Sequence, residues 1–153
     1  MNTAYFGNFY EDFKIGEEIQ HALSKTIFES DNNFFCLLTM NHHPVHLNEH
    51  YAKHQKHGKI LVVGTLIFSL TVGLTVQDIS GKAIANLNYE SVNHLAPVFI
   101  GDTIYARTKI LEKRESKSNT TAGIVRVETV GYNQNGVDVI TFTRNVLIKK
   151  RDI

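Results

Sequence analysis

The chain has 153 residues, the usual size of one domain, and its apolar share of 42% is ordinary for a globular protein. A formal net charge of +1 argues against a nucleic-acid-binding protein, which would show a dense basic face. One cysteine, Cys36, excludes an intrachain disulfide and favours a reducing, cytoplasmic environment. Residues 1–18 are acidic and aromatic, without the basic start and apolar core of an export signal.

The first half of the chain is predicted to be mainly helical. Residues 17–28, rich in Ile, Thr and Leu, predict a first strand. Residues 30–32 (Ser-Asp-Asn) offer N-cap chemistry for a short helix over residues 34–39. A proline should leave residues 40–47 as a loop, and a second short helix should follow and end near Gly58.

Residues 64–78 are the longest helical candidate, and they are apolar almost all round. A surface helix would carry a single apolar stripe, so this helix is predicted to lie in the middle of the fold. Glycine, serine and threonine interrupt the stretch, so a buried helix is favoured over a membrane span, which needs about 20 strongly apolar residues.

The second half of the chain has the two-residue period of β-strands. The predicted strands cover residues 82–94, 103–116, 122–132 and 137–149. Asn135-Gly136 predicts a two-residue hairpin turn with positive φ at both residues. A buried helix followed by a meander of antiparallel strands is an α+β pattern, and a sheet wrapped around a central helix is the hot-dog arrangement. No linker or repeat divides residues 1–153, so one domain is expected.

Histidines are concentrated in one segment, with six of the eight between residues 42 and 57. His42, His46, His50 and His54 are spaced by four and would share one helix face, as metal ligands can. Pro44 interrupts any helix joining the first two, and no cysteine or well-placed carboxylate completes a ligand set. The sequence therefore predicts no metal site, and exposed helix positions are expected for His50, His54 and His57.

The histidine-rich segment also carries a family resemblance. LLTMNHHPVHLNEHYA, residues 37–52, resembles the signature of MaoC-like, R-specific enoyl-CoA hydratases. That signature reads roughly Ser/Thr-Gly-Asp-x-Asn-Pro-Leu-His, with an alanine some residues later. Pro44, Val45, His46 and Ala52 match it. YEDFKIGEE, GKILVVGTLIFSL and PVFIGDTI are similar to other family segments, in the same order along nearly the whole chain.

A closer resemblance is to small family members of the itaconyl-CoA or mesaconyl-CoA hydratase type, through the segments ANLNYE and LEKRESKSNTTAGIV. It implies a hydro-lyase that adds water across the double bond of an acyl-CoA thioester, with a C5-dicarboxylyl acyl group as one option. Arginines that could pair with a second carboxylate lie in the strand half. They are Arg107, Arg114 and Arg126.

The resemblance implies His46 as the general base, because imidazole titrates near neutral pH. The N–H of Gly64, at the start of the predicted central helix, is a candidate donor to the thioester oxygen, although glycine there also suits tight helix packing. Ser69 matches a family position near the site, although a serine in a helix can also bond back to the backbone. Pro44 and Ser69 are therefore expected among the substrate-binding residues.

One departure affects the catalytic motif. The family's aspartate falls on Asn41, and the asparagine before the proline falls on His43. An amide cannot exchange a proton at neutral pH as a carboxylate can. The expected roles are that Asn41 orients the water and binds substrate while His43 supplies the acid, although an exposed loop histidine is the alternative for His43.

Two other functions stay open at this stage. A hot-dog thioesterase would usually need an Asp or Glu on or before the central helix, and there is none between Gly58 and Gln77. A non-catalytic acyl-CoA-binding protein is compatible with Asn41. In each case the expected partner is an acyl-CoA, without nucleic acid, membrane or cofactor. A homodimer is expected, because pairing would close the open groove and the free sheet edge of a single hot-dog unit.

Overall fold

The computed structural model describes residues 6–152, and four α-helices and six β-strands lie within that range. The helices are α1 (Glu29–Leu38), α2 (Pro44–Leu47), α3 (Glu49–Lys53) and α4 (Gly64–Thr75). The strands are β1 (Glu18–Gln20), β2 (Lys25–Thr26), β3 (Ala83–His94), β4 (Thr103–Glu115), β5 (Ala122–Tyr132) and β6 (Asp138–Lys149). Within residues 6–152, no helix has the length and apolar character that crossing a bilayer requires. Residues 1–5, part of the segment predicted to lack an export signal, lie outside the described residues.

The four long strands and two short ones form one antiparallel sheet. Its order is β1-β4-β5-β6-β3, and β2 also pairs with β4. Helix α4 packs on one face of the sheet, where Ile67 and Leu74 are buried among Ile104, Ala106 and Ile140. The predicted α+β architecture, with long strands after a central helix, is confirmed.

Helix α4 is covered on one side only. Thr65, Ser69 and Gly73 are exposed, and their spacing of four places them on one face of the helix. The prediction of a helix surrounded by the fold therefore holds for the sheet-facing side and fails for this stripe. The helix then continues as a single π-helical turn over Val76–Ser80.

The predicted first strand is wrong as a single element, because the chain leaves the sheet between β1 and β2. His21 turns inward there and is buried. Its Nδ1 lies 2.6 Å from Asp78 Oδ2, and its Nε2 lies 2.7 Å from Thr108 Oγ1. A buried imidazole needs polar partners, and these two satisfy it at the end of β1, just before the chain bends at residue 22.

The short helices also begin in places other than those predicted. Helix α1 begins at Glu29, and Asp31 in its first turn accepts a hydrogen bond of 2.9 Å from the N–H of Phe28. Residues 40–47 are not all loop as predicted, because Pro44 begins α2, whose first helical position needs no N–H donor. The predicted second helix is confirmed at its start as α3, with Asn48 capping it through the N–H of Tyr51 at 2.9 Å, but it ends at Lys53 and not near Gly58.

The hairpin between β5 and β6 is longer than the predicted two-residue turn. Tyr132 pairs with Asp138, so residues 133–137 form the turn. Gly136 has a φ of +73°, whereas Asn135 does not have the positive φ that was predicted. The Asn133 side chain accepts hydrogen bonds from the N–H groups of Asn135 and Val137 and holds the turn closed.

Met40, which follows α1, has a left-handed backbone with a φ of +61°. Its N–H donates to the Leu37 carbonyl at 3.3 Å, and the N–H of Asn41 donates to the Cys36 carbonyl at 3.0 Å. This pair of bonds is the Schellman ending of a helix, where glycine is the usual residue. Met40 also falls where the family signature has its glycine.

Asn32 connects α1 to the two segments that carry the predicted site. Its side-chain Nδ2 donates to the His46 carbonyl at 3.0 Å, and its Oδ1 accepts from the N–H of Val63 at 3.0 Å. Val63 is the residue that immediately precedes α4. Asn32 is only 2% exposed, so water cannot easily replace either bond. One amide therefore ties α2 to the start of α4, together with the hydrogen bond of 3.2 Å from the Leu61 N–H to the Val45 carbonyl.

We expect Met40→Gly to stabilise the protein by about 0.5–1 kcal/mol. The left-handed conformation costs a non-glycine residue roughly 1–2 kcal/mol, and the extra freedom of glycine in the unfolded chain offsets part of that gain. Met40 is 77% exposed, so little packing is lost. Urea denaturation measures the change, and an unchanged or lower midpoint would contradict the expected gain.

We expect Asn32→Ala to lower the free energy of unfolding by roughly 2–4 kcal/mol, since it leaves the half-buried His46 carbonyl and the buried Val63 N–H without partners. Asn33→Ala is the matched control, because Asn33 is the neighbouring residue, has the same side chain and is exposed. Equal urea midpoints for the two variants would show that the Asn32 bridge contributes nothing.

Candidate active site

The beginning of α4 opens onto a cavity of about 440 Å³, which we call the Gly64 cavity. His46 lines it from α2, Gly64 from the first turn of α4, and His94 from the end of β3. Two further basic side chains, Lys56 and His57, also contribute to its wall. The cavity therefore brings together segments that lie far apart in the sequence.

The orientation of His46 is fixed by a backbone contact. Its Nδ1 lies 2.6 Å from the carbonyl oxygen of Leu61. A carbonyl can only accept, so Nδ1 carries the proton in this contact and Nε2 keeps its lone pair. The His46 side chain is half-buried and lines the cavity. An imidazole held in this tautomer can accept a proton from a group in the cavity.

Gly64 is the first residue of α4, so its N–H has no preceding helical turn to bond to. The positive end of the helix dipole lies at the same place. A methyl group added at Gly64 would stand 2.9 Å from both Cε1 and Nε2 of the His94 ring. Glycine therefore leaves room for the His94 imidazole beside a backbone donor.

The other predicted site residues lie around the Gly64 cavity without lining it. Asn41 is half-buried, and its Oδ1 accepts from the N–H of His43 at 3.3 Å. His43 is exposed, and its Nδ1 accepts from the N–H of Val45 at 3.1 Å. Its ring centroid lies 6.0 Å from that of His46. Pro44 begins α2 beside them.

Ser69 lies apart from this group, on the exposed stripe of α4. It is more than one helical turn beyond Gly64, and it lines neither the Gly64 cavity nor the second one beside it. Its expected role in binding substrate therefore stays a prediction, without support from the geometry of the single chain.

A second cavity, of about 470 Å³, shares His46 with the Gly64 cavity. Its wall includes Asn32 and two carboxylates, Glu29 and Glu49. The Gly64 cavity differs in charge, because its described lining contains basic groups and no Asp or Glu. An anionic ligand is therefore favoured on the Gly64 side.

The remaining candidates for chemistry do not form a site. Within residues 6–152, no three His, Cys, Asp or Glu side chains converge as metal ligands would. Cys36 is fully buried, and burial raises the pKa of its thiol. A thiol that stays protonated near neutral pH is a poor nucleophile, which agrees with a core role for Cys36.

Two residues of this region were not predicted from the sequence. Asn32 was assigned to helix capping, and its role as a buried bridge depends on partners 14 and 31 residues away. His94 was assigned to a strand end. The sequence feature that could have indicated a role for His94 is its position as a polar residue at the end of a strand, shortly before the Pro97 turn.

Comparison with known proteins identifies the family. Residues 12–133 match the model of the MaoC like domain. Two curated relatives are each 36% identical over 95% of this chain, namely the mesaconyl-CoA hydratase of Cereibacter sphaeroides and the beta-methylmalyl-CoA dehydratase of Chloroflexus aurantiacus. The chain spans 42% and 41% of their respective lengths.

A solved structure from Mycobacterium tuberculosis, described as having a double hotdog fold, superposes with a TM-score of 0.86. The superposition covers 95% of this chain and 45% of that protein, and the two sequences are 17% identical. At that identity the likeness concerns the fold alone, and it confirms the predicted hot-dog fold. With the match over residues 12–133, it follows that the chain belongs to the MaoC-like domain family.

Proposed function

We propose that the chain is an enoyl-CoA hydratase, a hydro-lyase that adds water across the double bond of an acyl-CoA thioester. A C5-dicarboxylyl acyl group of the mesaconyl or itaconyl type is the proposed substrate class. The observation that carries the proposal is the Gly64 cavity, which is lined by both His46, whose Nδ1 donates to the Leu61 carbonyl, and Gly64, the first residue of α4. The names of the two curated relatives support the same reaction.

The proposed reaction needs a base at C3 of the substrate and a donor at the thioester oxygen. His46 Nε2 takes a proton from water, and the hydroxide oxygen bonds to C3. The π electrons move towards the thioester oxygen, where the N–H of Gly64 donates to the developing negative charge. Protonation at C2 then restores the thioester and completes the hydration.

Asn41 and His43 supply the remaining roles in this proposal. The Oδ1 of Asn41 is engaged with the N–H of His43, so its Nδ2 is the atom offered to water or substrate. His43 accepts a hydrogen bond at Nδ1, so in its neutral form the proton sits on Nε2 and can be donated. Pro44 fixes the backbone between His43 and His46 at the start of α2.

His46→Ala should lower the hydration of crotonyl-CoA by roughly a hundred- to ten-thousand-fold, which is the usual contribution of general base catalysis. The assay follows the loss of the enoyl thioester absorbance, and circular dichroism checks the fold. His50→Ala is the control, because His50 is exposed on α3 and lines neither cavity. Full activity in His46→Ala would contradict the assigned base.

The non-catalytic alternative rests on Asn41, and the same assay separates it. If the chain is a hydratase in which Asn41 orients water, the wild-type protein should already hydrate enoyl-CoA thioesters. A wild-type protein inert on every enoyl-CoA, with activity gained only in Asn41→Asp, would identify a binding protein that has lost the family carboxylate.

Hydrolysis of the thioester is the other candidate, and one observation favours it. His46 also lines the second cavity, which contains Glu29 and Glu49. A carboxylate beside an imidazole could activate water for attack on the thioester carbonyl. The Gly64 N–H, however, belongs to the cavity without a carboxylate in its described lining, so hydration is the better fit.

The proposed location is the cytoplasm, which the buried, unpaired state of Cys36 fits.

A homodimer joined through β3 is the proposed assembly. Strand β3 is a free sheet edge, because it pairs only with β6 among the described strands. Its apolar side chains Ile84, Leu87, Tyr89 and Val92 are between 39 and 47% exposed. A long apolar edge of this kind favours pairing with a second copy.

Leu87→Lys should shift the protein from dimer to monomer, because it places a charge on the free edge. Sedimentation at micromolar concentration measures the change. Ile15→Lys is the control, since Ile15 is 63% exposed and lies outside β3. A wild-type protein that sediments only as a monomer would count against the dimer.

A further inference from the structure

The cavity around Gly64 contains one imidazole that the proposed reaction does not use. His94 is exposed, and within residues 6–152 its ring nitrogens have no hydrogen-bond partner. The ring nevertheless has a defined place, because Cε1 and Nε2 lie against Gly64, where even a methyl group would come within 2.9 Å. A positioned polar ring without a partner in the chain is available to a ligand.

We infer that His94 binds the free carboxylate of a dicarboxylyl-CoA substrate, and so determines the choice of acyl group. This inference rests on the proposed function. A thioester oxygen bound at the Gly64 N–H puts the acyl chain beside the His94 ring. In a C5-dicarboxylyl group the free carboxylate is only a few bonds from the thioester. The groups that bind these two ends must therefore lie side by side, as the Gly64 backbone and the His94 ring do.

The charges of the cavity support an anion at this position. His46, Lys56, His57 and His94 line it, and no Asp or Glu is among the described lining residues. An imidazole donates to a carboxylate through an N–H, and such charge-assisted bonds are stronger than neutral ones. Ile67 and the other apolar lining residues would serve the hydrocarbon part of the same acyl group.

The arginines that the sequence offered for this role are engaged or distant. Arg107 binds Asp138 through two bonds of 3.0 and 3.1 Å, and Arg126 pairs with Glu90 at 2.8 Å. Neither of these residues lines the Gly64 cavity, and nor does Arg114. His94 is therefore better placed than any of the three.

Arg144 is the remaining candidate, and it lies too far along the sheet. It is 1% exposed and bonds to Thr75 and Asn86, with its Nε unpaired. His94 pairs with Ile140, four residues before Arg144 on β6. That separation is about 13 Å at the usual strand rise, which exceeds the length of a C5 acyl group.

The test compares mesaconyl-CoA, which has a free carboxylate, with crotonyl-CoA, which has none. His94→Phe keeps a flat ring beside Gly64 and removes both nitrogens. The ratio of kcat/KM for mesaconyl-CoA to that for crotonyl-CoA should fall by roughly 10- to 100-fold, as expected for one lost bond to a charged group. The loss should appear mainly in the KM for mesaconyl-CoA.

His94→Gln, which restores a donor, should recover part of the ratio, and His50→Phe should leave it at the wild-type value. A ratio within threefold of wild type in His94→Phe would overturn the inference, because it would mean that His94 serves both substrates alike. If the wild type hydrates neither thioester, the proposed function fails, and binding measured by calorimetry then tests the role of His94 by itself. The wild type should then bind mesaconyl-CoA more tightly than crotonyl-CoA, and His94→Phe should remove that preference.

Discussion

The geometry of the site depends on the side-chain amide of Asn32. Its two hydrogen bonds, to the His46 carbonyl and the Val63 N–H, connect the same two backbone segments that the Leu61 N–H and the Val45 carbonyl join at 3.2 Å. The Leu61 carbonyl, which orients the His46 ring, lies on the segment that Asn32 holds. This buried asparagine thus helps to set where the Nε2 of His46 stands relative to the beginning of α4. Such a bridge is sensitive to loss, because the Val63 N–H is buried and the His46 carbonyl is half-buried.

The second determinant is the chemistry of the Gly64 cavity. The family aspartate is replaced by Asn41, and no Asp or Glu is among the described lining residues of the cavity. Imidazoles and a lysine lie on its wall. In the proposed reaction this basic lining attracts a substrate that carries its own carboxylate. The replacement at Asn41 therefore bears on the acid/base arrangement, and the lining of the cavity supports the proposed substrate class.

The sequence predicted those features that depend on local pattern. The two-residue alternation identified β4, β5 and β6 within a residue or two, and the apolar run from Gly64 identified α4. It did not predict features that depend on distant partners. His21, where the predicted first strand stops, is buried against Asp78 and Thr108, 57 and 87 residues away. Asn32 resembled a helix cap because its partners on α2 and before α4 are not visible in the local sequence. For the same reason His94 was not linked to Gly64, although the match to the family motif had already identified His46.

The most direct measurement is an assay of the wild-type protein on mesaconyl-CoA with two simultaneous readouts. Enoyl thioester absorbance reports hydration, and a thiol reagent reports free CoA released by hydrolysis. If the His46 and Gly64 arrangement performs hydration, the absorbance falls, no thiol appears, and the product is the hydrated thioester. Release of thiol in proportion to the substrate consumed would contradict hydration and indicate hydrolysis. No change in either signal, with the thioester nevertheless bound, would contradict an enzymatic role altogether.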